Sequence, residues 1–456
     1  MRIKFYTLVM ALMLLSIASN AQHEQKALDS VKLNQYGQKV ESLDLEAEAR
    51  NAIITFESKD GNYKFWMDNR VLFDGGYFFD DDTYNGIGNG LVIRRARLAL
   101  KTIVHKNWYA EIDMDFAGSQ LELKDAYIKY TNDARVFNVK AGHFRESFSM
   151  ETTTTSRYVQ FIERSLSSKF SPSRHLGFQA NYMKEKFLLS GGVHFNTIGD
   201  TEETEFTQDA NKDTSTDEGY SLTGRFVYRP IYDNDKVLHI GTAASYRTPK
   251  THLEVPNSYR FSTRSISNVN RKKYLDTDDI LNVDNNSLWN VELAGAYKNI
   301  MFQSEYFNND INRLEDLSGV NLNGLYFQMG YLLGDGKYQY NKNEGEFTQP
   351  GLGKKGEMEV AFRFDYIDLN DENAGIYGGS ANGYTLGLNY YVNTNIKLML
   401  DYSYLNHDRY ANGKGKLFVG TDINGDLTKD PTEVVEAEGK AGEDYGQLQF
   451  RIEIDF

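Results

Sequence analysis

Residues 445–456 place Leu448, Phe450, Ile452, Ile454 and Phe456 on one face of an extended strand and Gln447, Gln449, Arg451, Glu453 and Asp455 on the other. The same two-residue period recurs in about sixteen segments of roughly ten residues. They are 63–80, 91–101, 108–116, 121–131, 136–144, 175–183, 187–196, 220–229, 236–247, 288–298, 300–308, 324–333, 357–369, 383–392, 396–405 and 445–456. Each apolar face needs a dry partner, either a second sheet or a lipid bilayer. The connections separate the two cases. Those at 105–106, 132–135, 184–186, 230–235, 299 and 393–395 are tight, and between them lie long ones at 145–174, 197–219, 248–287, 309–323 and 406–444. Short turns at one end and long loops at the other are the layout of a transmembrane antiparallel β-barrel, and an even strand count returns both termini to one side. One connector, 334–356, is long yet falls on the short-turn side.

The N-terminus reads as an export signal: Arg2 and Lys4, an apolar run from Leu8 to Ala18, then Ser19-Asn20-Ala21 with the small-x-small form of a cleavage site. The domain expectation is a signal peptide at 1–21, a polar periplasmic lead-in at 22–52 and the barrel at 53–456. Removing the signal takes the formal charge from −14 to −16, which argues against nucleic-acid binding. There is no cysteine, so disulfides and thiolate chemistry are excluded. With 31 Tyr, 27 Phe and 38 Gly against 6 Pro, the composition fits an outer-membrane barrel of a Gram-negative bacterium. A terminal Phe456 closing an alternating strand resembles the signal read by the barrel-insertion machinery.

The faces turned away from lipid carry the chemistry. Strand parity turns Arg95, Arg97, Lys101, Lys129, Lys140, Arg225, Arg229, Arg247, Lys298, Arg363, Lys397 and Arg451 inward. Val92, Ala96, Leu98 and Leu100 then form the lipid face of the Arg95 strand, with Arg94 near its end. Glu111, Asp113, Asp115, Asp125, Glu292, Asp365, Asp401 and Glu453 are inward too, so the wall is mixed. Arg95 and Arg97 opposite Glu111, Asp113 and Asp115 are open to two roles, a cross-strand ion network or coordination of a passing anion. Loop 145–174, with Arg145, Arg157, Arg164, Lys169 and Arg174, is expected to fold into the pore. Loop 248–287, with Arg260, Arg264, Arg271, Lys272 and Lys273, either adds cations there or lies in solvent.

From about Asn62 to Phe195 the chain resembles the phosphate-selective porin O/P family. The motifs are Arg94-Arg95-Ala96-Arg97-Leu98, Asp113-Met114-Asp115-Phe116-Ala117-Gly118, Leu123-Lys124-Asp125-Ala126-Tyr127-Ile128-Lys129-Tyr130 and Gly142-His143-Phe144-Arg145-Glu146-Ser147-Phe148. Phe161-Ile162-Glu163-Arg164 and Arg174-His175-Leu176-Gly177 follow, and similarity continues through Tyr331-Leu332-Leu333-Gly334 and Glu357-Met358-Glu359-Val360-Ala361. The resemblance implies a sixteen-stranded barrel, commonly trimeric, that conducts anions such as phosphate past wall arginines. It also puts connector 334–356 between two barrel strands on the periplasmic side. Line-up along such a path gives Arg95, Arg97, Lys101, Lys129, Lys140, Arg145, Arg164, Arg174, Arg225, Arg229, Arg247 and Arg363 as the expected anion pathway.

The acidic segments 197–219 and 430–444 are expected outside, bridged to lipopolysaccharide by divalent cations. In the last loop Asp422, Asn424, Asp426, Thr428, Asp430 and Glu433 stand at positions 1, 3, 5, 7, 9 and 12 of a calcium-loop pattern, with Leu427 where its glycine belongs. Calcium there competes with a plain acidic turn, and no other cofactor is expected. No Gly-x-Ser-x-Gly or His-Glu-x-x-His motif supports an enzyme, and the eight histidines are scattered, His143 and His194 facing inward. A general porin with paired wall charges, a non-conducting surface receptor and an outer-membrane hydrolase are the competing classes.

Overall fold

The computed structural model describes residues 32–456 apart from 80–82, 120, 199–218, 250–254, 256 and 436–440. The expected signal segment and most of the acidic segment 197–219 lie outside the described residues. Sixteen antiparallel strands close on themselves. They are β1 (Tyr63–Phe79), β2 (Gly90–Val104), β3 (Trp108–Asp115), β4 (Glu122–Thr131), β5 (Phe137–Arg145), β6 (Arg174–Met183), β7 (Phe187–His194) and β8 (Ser221–Asp233). β9 (Lys236–Arg247), β10 (Val283–Tyr297), β11 (Ile300–Arg313), β12 (Val320–Leu332), β13 (Glu357–Asp371), β14 (Ile376–Tyr391), β15 (Ile396–His407) and β16 (Asp444–Asp455) complete the circuit. Each pairs with its neighbour in sequence, and β16 pairs with β1 from Gly446↔Phe79 to Asp455↔Arg70. Closure leaves no free edge, which a bilayer requires because unpaired backbone groups in hydrocarbon cost several kcal/mol. A short strand, Ile53–Ser58, adds to the start of β1.

All sixteen segments expected from alternation are strands. The outer face is apolar and exposed: Leu222, Phe226 and Tyr228 on β8, Leu386 and Leu388 on β14, Phe450, Ile452 and Ile454 on β16. Several strands run beyond the expected limits at the long-loop end, β10 starting at Val283 and β11 ending at Arg313. There the outer positions are polar, Asn312 donating to Asn285 at 2.9 Å, while inner positions such as Ile311, Leu322 and Ile367 are buried among apolar loop residues. Outside the membrane the lipid no longer imposes an apolar outer face, so the pattern fades although the ladder continues.

Two expected positions are corrected. Lys298 occupies the tight turn between β10 and β11 at φ +54 and is exposed rather than lumenal. On β2 the register against β1 shifts between Leu72↔Arg95 and Phe73↔Ile93, so Arg94 is the extra residue of a bulge. The bulge reverses parity beyond it: Leu91 and Ile93 are the lipid-facing residues at that end, in place of Val92. Arg94 and Arg95 thereby both reach the lumen.

Candidate functional site

The loop between β5 and β6, residues 146–173, turns into the barrel, as expected, and its attachments explain why. Arg145 and Arg174, the strand residues that launch and receive it, are direct cross-strand partners. The short helix Met150–Thr153 begins at Ser149, and Glu305 of β11 accepts from Ser149 Oγ at 3.1 Å, Met150 N at 3.1 Å and Glu151 N at 2.8 Å. Further along, Asp401 accepts from Ile162 N at 2.7 Å and Asp365 from Leu166 N at 3.0 Å. Arg363 and Lys397 donate to the carbonyls of Glu163 and Arg157 at 2.8 and 3.0 Å. Buried backbone N–H groups need acceptors, and wall carboxylates on β11, β13 and β15 supply them.

The long connector on the short-turn side, residues 334–356, folds into the lumen from below. Its Tyr340–Asn341 and Glu346–Phe347 segments pair as a small ladder. Phe347 packs with Met150 of the upper loop and with Val237, Ala294 and Met301 of the wall. The two infolded segments thus meet inside the barrel and occupy its β8–β15 side. What stays open runs along β1–β6.

That opening consists of two joined cavities. The upper, of about 570 Å³, is lined by Arg94, Arg95, Arg97 and Lys124 of the wall and by Arg145, Arg164, Lys169, Arg174, Arg264 and Lys273 at or within the loops. Against these ten cations stands one carboxylate, Glu163, with the hydroxyls of Ser165, Ser168, Ser171 and Ser173 between. Loop 248–287 therefore contributes to the pore through Arg264 and Lys273, whereas Arg260 is taken by Asp276 at 2.6 Å. The lower cavity, of about 330 Å³, has eight cations and five carboxylates on its wall. Arg95, Arg97, Arg145 and Arg174 border both, forming the narrow ring between them.

Pairing separates structural cations from available ones. Arg97 reaches Asp113 and Asp115, each at 3.1 Å, so this arginine belongs to the cross-strand network. Arg95 is 3.9 Å from Asp115, and Arg145 donates to the carbonyl of Thr152. Lys101 and Arg157 share Asp68 at 2.5 Å each, and Arg174 holds Asp125 at 2.7 Å. Arg164 donates to the carbonyls of Glu151 and Thr154 at 3.1 and 2.5 Å. Burial pushes Arg164 down to about 10, so it keeps its charge at neutral pH, and burial also lowers Lys169. Burial would raise the Glu163 carboxyl, but the adjoining Arg94 overrides it and holds the group well below the carboxylate range.

Four expected pathway residues lie elsewhere. Arg225 is fully buried, bidentate to Glu292 at 2.9 and 2.8 Å, and donates to the carbonyls of Glu344 and Gly345, so it clamps the lower connector. Arg229 donates to the carbonyls of Glu185 and Lys184 at 2.8 and 2.6 Å in a turn. Arg363 is bound to Asp365 at 2.7 Å and to the loop, and Arg247 is paired with Glu146 at 3.0 Å. All four are inward by parity, but the infolded segments cover that side of the wall. Among the other inward cations, Arg451 is held by Asp74 at 2.7 Å and Lys397 lies 3.5 Å from Glu453. Three pathway cations were missed: Arg70, Arg94, and Lys124 of β4, which lies at the register shift between Asp113↔Asp125 and Met114↔Leu123 and lines the upper cavity. Arg70 shares strand parity with inward Asp68 and Asp74 and binds Thr155 and Ser156 at 3.0 and 2.8 Å; alternation alone identifies it. Arg94 depends on the bulge, which no local pattern announces.

The calcium-loop segment is a hairpin pairing Gly420–Thr421 with Leu427–Thr428. Asp422 accepts from the backbone of Asn424 and Asp426 at 2.8 and 2.9 Å, and Thr428 donates to Glu433 at 2.8 Å. The carboxylates of Asp422, Asp426 and Glu433 are not gathered at one point; among the described residues such a trio is Glu111, Asp113 and Asp125, whose oxygens face Arg97, Arg174, Lys101 and two tyrosines.

A closed sixteen-stranded barrel with an apolar exterior and a charged lumen narrowed by infolded loops is an outer-membrane porin, a channel rather than an enzyme. This chain belongs to the family of phosphate-selective porins O and P, whose profile matches residues 65–423. It is similar to Porin O of Pseudomonas aeruginosa, 25% identical over 393 residues that cover 78% of this chain and 86% of that one. An uncharacterised protein of Caulobacter vibrioides is 24% identical over 334 residues, covering 71% and 64%. Among solved structures, a loop L8 deletion mutant of OmpT from Vibrio cholerae superposes with a TM-score of 0.51 at 9% identity, over 87% of this chain and all of that one. The trimer form of OmpT gives 0.50 at 9% identity, over 86% and 99%. These structural likenesses establish the shared fold.

Proposed function

We propose that the chain is an anion-conducting porin that passes phosphate or related oxyanions inward through the upper cavity, the arginine ring and the lower cavity. The observation that carries this is the upper cavity, with ten cations against one carboxylate. The wall is mixed in total charge, but the carboxylates of β11, β13 and β15 hold the upper loop and do not face the passage. An oxyanion passing from the upper cavity into the ring loses part of its hydration and receives charge-assisted hydrogen bonds in exchange, from Arg164 above the ring and from Arg95 and Arg145 within it. Each contact is weak and there are several in series, so the ion can leave again. Arg97, Lys101 and Arg174, neutralised by their carboxylates, shape the ring and hold its other guanidinium groups in place. A homotrimer is the assembly proposed, supported by the family and by the trimeric form of OmpT. The acidic outer segments would meet lipopolysaccharide through divalent cations.

The test is the reversal potential of the purified protein in planar bilayers under a potassium chloride gradient, followed by titration with phosphate. Anion selectivity with block of the chloride current by phosphate is expected. A cation-selective potential would overturn the proposal.

A further inference from the structure

Toward the periplasmic end of the passage, Lys129 of β4 and Lys140 of β5 stand directly opposite each other in register. Like charges at such positions repel, and strand pairs ordinarily avoid them. Neither ammonium is paired with a carboxylate among the described residues. Lys129 rests 4.8 Å from the ring centre of Tyr109, and Lys140 rests 5.1 and 4.9 Å from those of Tyr127 and Phe144. Both are half-exposed. Lys140 lines the lower cavity and Lys129 is its cross-strand partner, so the two unpaired ammonium groups together form a natural resting place for an anion that has passed the ring.

Facing them is a carboxylate from a different part of the chain. Glu344, in the lower connector, lines the same chamber as Lys140 and is the carboxylate that acts most strongly on Lys129. Its side chain is exposed, and its position is set by its backbone. The carbonyls of Glu344 and Gly345 each accept from Arg225 at 2.9 Å, and Arg225 is itself locked to Glu292. Gly345 adopts φ +68, which turns the chain at that clamp. The connector thus presents a negative charge to a lysine pair that makes no ion pair among the described residues, with Glu111 a second carboxylate on the wall of the same chamber.

We infer that Glu344 is a release residue: its charge weakens anion binding at Lys129 and Lys140 and so speeds escape into the periplasm. This rests on the anion reading above. A site that held phosphate tightly would block the pore, and a carboxylate across the chamber opposes a dianion twice as strongly as a monoanion.

The experiment compares the unaltered protein with Glu344→Gln in planar bilayers, reading the phosphate concentration that halves the chloride current. That concentration should fall about three- to tenfold in Glu344→Gln, the range a single charge gives across several ångströms of partly screened solvent. Phosphate added from the periplasmic side should show the larger change. In Lys129→Gln/Lys140→Gln/Glu344→Gln the gain should vanish. An unchanged half-blocking concentration in Glu344→Gln, or a gain that survives loss of both lysines, overturns the inference while an anion-selective reversal potential leaves the function standing. A cation-selective potential in the unaltered protein overturns both.

Discussion

Replacing Arg145 with Gln tests the ring most directly. Its guanidinium borders both cavities and is bound to one backbone carbonyl, with no carboxylate partner among the described residues. Its charge is therefore available to a passing ion. Two unit charges about 4 Å apart interact by about 1 kcal/mol in water and about 4 kcal/mol at the effective dielectric of a protein surface. A half-exposed group in a wet ring falls between these, at about 1–3 kcal/mol of lost attraction, which corresponds to roughly a fivefold to 150-fold rise in the half-blocking phosphate concentration. Single-channel recording with phosphate titration measures it, and chloride conductance checks that the barrel has assembled. An unchanged phosphate block in Arg145→Gln would refute the division between available and paired cations.

Arg225→Gln should act differently. It leaves the buried Glu292 without its guanidinium partner, only His239 remaining at 2.8 Å, which costs up to about 3–5 kcal/mol, so the variant should unfold at lower temperature or denaturant and release the connector. Asp401→Ala removes the acceptor for Ile162 N, a charged hydrogen bond of about 1.5–3 kcal/mol; single-channel traces should become noisier as the loop loosens. Burial, reinforced by the neighbouring Glu344 charge, pushes the Glu346 carboxyl up to about 8, with Arg225 and Arg145 opposing the shift. The seated connector therefore retains a proton that the unseated one gives up above the ordinary carboxyl range. Its seating should weaken as pH rises from about 5 to 8 and level off beyond. Trypsin cleavage at Lys354 and Lys355 should increase over that window and lose its pH dependence in Glu346→Gln.

The strands were legible because lipid enforces them. Each outward residue of β16, from Leu448 to Ile454, must be apolar, and the period of two follows whatever the interior does. The turns at His105-Lys106 and Asn393–Asn395 were legible for the same local reason. Sequence also identified the inward cations of β2, Arg95 and Arg97, and the loop that enters the pore. It could not tell which charges remain free, because their partners are remote in sequence: Arg451 is held by Asp74, 377 positions away, and Arg225 by Glu292. Parity reports the face of a strand and is silent about what lies against that face. The upper loop and the lower connector cover the β8–β15 wall, which turns Arg225, Arg229 and Arg363 into anchors and leaves Arg95, Arg145, Lys129 and Lys140 beside water. Alternation against lipid is a local constraint and stands in the sequence; the pairing of charges across a lumen is set by the closed barrel and its infolded segments, and only the tertiary structure decided it.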